Sequence, residues 1–127
     1  RKFRDAALHA MAGEIGKSTG PIIFAGDLNT TERTASFQGL LRTGLLDSRR
    51  GFGWMPTWPV LYPPGIQSAI AGVLVAIPID HVLVSPGIGV ADRRTGPSFG
   101  SDHLPLMVDL VFSKLADSPL TNRVYKE

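Results

Sequence analysis

Three short segments of this 127-residue chain carry side chains whose types and spacing could do chemistry together. They are Gly26-Asp27-Leu28-Asn29, Ile79-Asp80-His81 and Gly100-Ser101-Asp102-His103-Leu104-Pro105. Together they supply Asp27, Asn29, Asp80, Asp102 and His103. Carboxylate oxygens are what a hard divalent cation such as Mg²⁺ takes, keeping several waters besides. Hydrolysis of a phosphate ester needs a positioned water, a base and a group that steadies the phosphoryl oxygens. An Asp bonded to a His fixes the tautomer of the imidazole and raises its basicity. Taken singly, each segment is also what a turn, a satisfied polar pair or a loop cap looks like. Their joint occurrence, each beside an apolar strand, is what points to a site.

The elements that must hold these groups follow from the periodicity. Phe3, Ala7, Met11 and Ile15 recur at helical spacing, so the first sixteen residues read as an amphipathic helix broken by Gly20-Pro21. The run Pro21 to Ala25 reads as a strand buried on both faces, ending in the Asp27–Asn29 segment. Thr34 is placed to cap a second helix bearing Phe37, Leu40 and Leu41, with Gly44 at its C-terminal end. Residues 51–64 are rich in Gly and Pro and read as loop, with a short strand around Pro56-Thr57-Trp58. Strands are expected over 79–84, 88–93 and 104–112, with a turn at Ser85-Pro86-Gly87 and a polar, frayed tail over 113–127. His81 alternates with Asp80 along its strand, points to the opposite face, and reads as structural. Arg49-Arg50 and Arg93-Arg94 read as solvated pairs.

Composition narrows the options. With 43% hydrophobic and 19% charged residues, a core can form and disorder is excluded. The absence of cysteine removes disulfides, a Cys-ligated zinc and a thiol nucleophile at once. A formal charge of +2 with no basic stripe is a poor footprint for a nucleic-acid-binding piece.

Gly-Asp-Leu-Asn after an apolar strand, then Ile-Asp-His-Val-Leu-Val-Ser, then Gly-Ser-Asp-His-Leu-Pro-Leu resemble the C-terminal signatures of the endonuclease/exonuclease/phosphatase superfamily. The resemblance runs over residues 1–112 and implies α/β architecture. The expected structure is half of a four-layer α/β sandwich, one mixed, mostly antiparallel sheet with helices on one face. Carried over residue by residue, Asp27 would position or deprotonate the attacking water and Asn29 would orient the phosphate and the Asp27 carboxylate. His103 would stabilise the scissile phosphate, Asp80 would pair with that imidazole, and Asp102 would be a ligand of Mg²⁺ or Mn²⁺. Pro56-Thr57-Trp58 resembles a Thr-aromatic strand of many relatives, which makes Trp58 a candidate substrate contact. The implied activity is metal-assisted hydrolysis of a phosphodiester or phosphomonoester; the substrate could be a nucleic acid, a phospholipid head group or an inositol phosphate.

The family's N-terminal half supplies a metal-binding Glu, an Asn and a second catalytic group, and none can be placed here. Glu14 and Glu32 lie at the wrong points of the chain to replace them. The expectation is therefore a fragment lacking the N-terminal half of its domain, and inactive or nearly so alone. Two helices cover one sheet face, so self-association through the uncovered face is expected as well. The alternative to an enzyme is the same scaffold kept as a non-catalytic binding or structural module. Residues 66–79 are apolar but fall short of the ~20 residues that cross a bilayer, so the chain is expected to be soluble as given, with membrane tethering of a longer parent left open.

Overall fold

The computed structural model describes residues 2–60 and 75–112. The expected tail over 113–127, the end of the 51–64 loop and most of the 66–79 run fall outside the described residues. Among those described, no helix is long and apolar enough to cross a membrane.

Helix α1 spans Lys2–Lys17. Its buried stripe differs from the expected one. Leu8 is buried, with Ala12 and Ile15 packed behind it, whereas Phe3 is 93% exposed and Met11 is exposed too. Both stripes satisfy a 3.6-residue period and share Ile15, so periodicity alone does not choose between them. Packing into the core does, because Leu8 joins the cluster of Leu28, Phe37, Leu40, Leu45 and Leu83.

Strand β1 (Ile23–Asp27) pairs antiparallel with β3 (Asp80–Val84), and the two-residue β2 (Leu46–Asp47) pairs with the other side of β3. The order is β1-β3-β2, which puts β1 at an edge. Register sets Phe24 opposite Leu83 on the face that meets the helices, and Asp27 opposite Asp80. Side chains alternate across a strand, so Ile23, Ala25 and Asp27 share the face turned away from the helices. That face is open at β1: Ile23 is 49% exposed and Ala25 is exposed. The expected burial of this strand on both faces is therefore corrected; it is covered on the helix side only.

Helix α2 (Ala35–Leu41) begins as its sequence dictates. Thr34 lies in extended backbone and its hydroxyl accepts the Phe37 N–H at 3.3 Å. Phe37 and Leu40 are fully buried. The C-cap is Arg42, two residues before the expected Gly44. Gly44, at φ +98°, donates its N–H to the Leu41 carbonyl in the turn that follows, a backbone conformation open to glycine.

Strands β4 (Ile88–Thr95) and β5 (Leu106–Phe112) form an antiparallel hairpin. The α/β class with antiparallel strands stands; among the described residues, hydrogen bonding groups three strands in one sheet and two in another. The pairing shifts between Val90 and Asp92, a bulge that inserts one extra residue into β4. It reverses the strand's parity, so that Arg93 follows Ile88 and Val90 onto the inner face. Arg93 is 2% exposed, bonds to the Ser48 hydroxyl and lies 3.9 Å from Asp47. Its reading as a solvated arginine is overturned by that shift. Arg94, facing out, pairs with Asp92 and Asp109.

Candidate active site

Asp27 is the last residue of β1 and Asp80 the first of β3, directly opposite each other in the register. Beyond Asp27, the Leu28 N–H donates to the Ile79 carbonyl at 2.9 Å, so the pairing continues one step past the strand. Leu28 then turns into the core and Thr30 is buried, which leaves Asn29 exposed between two anchored neighbours. Asn29 adopts φ +49°, a left-handed conformation that asparagine tolerates better than most residues. Its backbone N–H donates to one Asp27 oxygen at 2.8 Å and its side-chain amide to the other at 3.0 Å. The carboxylate is thereby fixed at both oxygens. On the outer side, Arg4 of α1 donates to the Asn29 carbonyl and pairs with Asp5.

His103 comes from the loop before β5. Its Nδ1 donates to Asp80 at 2.8 Å, and its Nε2 stands 4.0 Å from Asp27. Ligand atoms of Asp27, Asp80 and His103 all lie within 4.8 Å of one another. The bond to Asp80 holds the His103 imidazole above its usual pKa, aided by the charges of Asp80, Asp27 and Asp102 and opposed by partial desolvation. The imidazole is thus a stronger candidate hydrogen-bond donor at neutral pH than a free histidine.

A strap between the two sheets keeps His103 in place. Thr57 is buried and its hydroxyl faces the N–H groups of Ile79 and Asp80, each at 3.4 Å. The Leu104 N–H donates to the Thr57 carbonyl, and the Val60 N–H to the Asp102 carbonyl, both at 2.8 Å. The expected short strand near 56–58 is represented by a single bridge between Trp58 and Ile77. Trp58 is itself engaged: its indole N–H donates to an Asp102 oxygen at 3.2 Å.

His81 lies on the opposite side of β3, fully buried, its ring 4.5 Å from that of Phe37. Its Nε2 donates to the Thr30 carbonyl at 2.7 Å. Burial pushes its pKa below the ordinary value, an effect the Thr30 bond offsets only in part. Glu32 is engaged with Arg49 at 3.3 Å, away from the cluster.

Asp27, Asn29, Asp80 and His103 are therefore brought together. Asp102 lies next to them, bound to Trp58, and outside the three-residue cluster. Arg4 and Thr57 have contacts at the site that no local spacing announces; only the Thr-aromatic resemblance around Trp58 touched the second.

A sequence profile described as the Endonuclease/Exonuclease/phosphatase family matches residues 4–103. The chain belongs to this family. Its fold is similar to that of an endonuclease/exonuclease/phosphatase from Bacteroides vulgatus, with a TM-score of 0.67, 19% identity and coverage of 87% of this chain. It is similar as well to a mannosyl-6-phosphatase of Bacteroides thetaiotaomicron, at TM-score 0.57 and 24% identity over 88% of this chain. A functionally unknown conserved protein of Enterococcus faecalis gives TM-score 0.62 and 20% identity over 87%. The chain spans 44%, 47% and 44% of those three proteins. A comparison with curated proteins gives no match.

Proposed function

We propose that this chain forms the C-terminal part of a divalent-metal-dependent phosphoesterase, in which Asp27, Asn29, Asp80 and His103 are catalytic. One observation carries the reading: three segments far apart in sequence converge so that His103 is gripped by Asp80 on one side and faces an Asn29-fixed Asp27 on the other. Family membership and the phosphatase among the structural relatives support phosphate-ester hydrolysis over other chemistry.

In this mechanism Asp27 orients the attacking water and takes its proton as the new P–O bond forms and the ester P–O bond breaks, the leaving alcohol taking up a proton from solvent. The two bonds from Asn29 hold the carboxylate in one rotamer, so no reorganisation is needed at the moment of attack. His103 donates from Nε2 to a phosphoryl oxygen as negative charge develops there. Asp80 keeps the proton on Nδ1 and stabilises the imidazolium. The donor set suits a hard cation: the carboxylates of Asp27 and Asp80 stand within reach of one another, with Asp102 beside them. Asp102 would hold Mg²⁺ or Mn²⁺; its bond to Trp58 occupies one of about four acceptor positions on the carboxylate. When bound, the cation would supply charge neutralisation at the phosphate. Trp58, bonded to Asp102, would contact substrate.

The phosphatase relative favours a phosphomonoester as the first substrate class to try. The complete gene product, assayed with Mg²⁺ or Mn²⁺ on p-nitrophenyl phosphate and bis-p-nitrophenyl phosphate, is expected to hydrolyse at least one. Asp27→Ala and His103→Ala should each lower the rate at least ~10²-fold, and a chelator should abolish it. Full activity in both variants would overturn the assignment.

A further inference from the structure

We propose that His81 is a positioning residue for Asn29, acting through the Thr30 carbonyl; this rests on the catalytic role given to Asn29 and Asp27 above. The geometry is a relay of two short links. His81 Nε2 donates to the Thr30 carbonyl at 2.7 Å, and Thr30 is the residue that follows Asn29. Asn29 sits at φ +49° and holds both oxygens of Asp27. Asparagine tolerates the left-handed region better than most residues but still pays a conformational cost there, which bonds to its neighbours help to offset.

Other anchors hold the turn as well: Arg4 donates to the Asn29 carbonyl, one peptide before the carbonyl that His81 holds. Leu28 is held on the N-terminal side by its bond to Ile79 and by core burial. The Thr30 and Thr34 hydroxyls are 2.7 Å apart, which ties the Thr30 side chain to the cap of α2. The orientation of the Thr30 peptide carbonyl is fixed by His81. A mere core histidine would be a costly choice here, since its Nδ1 is buried with no hydrogen-bond partner. An apolar side chain would pack against Phe37 without that penalty. What it would lack is the Nε2 donor.

The relay also explains why the two neighbouring side chains of β3 differ in kind. Asp80 reaches His103 from one face and His81 reaches the Asn29 turn from the other, so one strand aligns both partners of the phosphate.

Two variants separate positioning from packing. The side-chain amide of Gln can reach where Nε2 does, so His81→Gln keeps a donor, while His81→Leu keeps the apolar contact and loses the donor. In the full chain, NMR of His81→Leu should show altered shifts and faster exchange of the Asn29 side-chain amide, with His81→Gln close to the parent. In the complete gene product, kcat should fall ~10-fold for His81→Leu with KM within about twofold, and recover in His81→Gln. Unchanged Asn29 resonances in His81→Leu, or a Gln variant as impaired as the Leu variant, would overturn the proposal. Should neither variant fold, the imidazole ¹⁵N spectrum of the unmodified chain decides. A slowly exchanging Nε2–H supports the relay and an Nδ1–H tautomer defeats it. The NMR arm stands even if no phosphate ester is hydrolysed, so failure of the relay is distinguishable from failure of the proposed function.

Discussion

Removing the Asp80 carboxylate isolates the interaction on which the site turns. His103 Nδ1 lies 2.8 Å from Asp80, and the two side chains are 26% and 19% exposed. A hydrogen bond with a charged partner contributes about 1.5–3 kcal/mol. Partial exposure to water places this one toward the lower end, since Coulomb attraction weakens as the surroundings grow more polar. About 1.4 kcal/mol corresponds to a factor of ten, so Asp80→Asn is expected to lower kcat/KM ~10-fold. Asn can still accept the Nδ1 proton through its oxygen, in which case the charge alone is lost. Asp80→Ala removes both and should cost more, toward ~10²-fold. The assay is steady-state hydrolysis by the complete gene product with Mg²⁺, comparing Asp80→Ala, His103→Ala and the double variant. If Asp80 acts through His103, the double variant should be little worse than His103→Ala alone, since residues acting as a unit are not additive. Losses that multiply would show that Asp80 works independently of the imidazole and would refute the reasoning.

Further outcomes are expected. Stability of the metal-free chain should depend on pH through two histidines of opposite sign. His81 has a folded pKa below 6.5, so its contribution falls as pH drops from 6.5 through that lower value; His103 is raised above 6.5, so its contribution is complete below 6.5 and lost as pH rises through the higher value. Urea unfolding over a pH series should show a flatter acid limb in His81→Gln and a flatter alkaline limb in His103→Gln. Thr57→Val leaves the Ile79 and Asp80 N–H groups without their hydroxyl acceptor, at about 1–2 kcal/mol given the long 3.4 Å contacts, and should lower the melting temperature by several degrees. Finally, Ile23, Met107, Val111 and Phe112 leave apolar surface exposed on the strands, so sedimentation should show self-association of the isolated chain, and a clean monomer would contradict it.

The proposed constellation was legible because each of its members sits at the end of, or in the loop beside, an apolar strand, where composition changes abruptly. Asp27, Asn29, Asp80 and His103 could be named without coordinates for that reason. The elements were legible where local chemistry decides, as at the Thr34 cap and the Gly44 turn. They were not where packing decides. The choice between two overlapping stripes on α1 depends on what Leu8 meets, and the burial of Arg93 depends on an extra residue in β4 that no period reveals. Arg4 reaches Asn29 across 25 positions of chain, and nothing at either end signals the contact.

The alternation of Asp80 and His81 has a consequence for how the chain folds. A slip of β3 by one residue against β1 would exchange the two, placing a carboxylate beside Phe37 in the core and an imidazole in the cleft. An ionised group stranded without a partner in an apolar interior costs several kcal/mol, so the misaligned pairing is driven out of the folding ensemble. The residue proposed to pair with His103 is therefore also the one that proofreads the sheet.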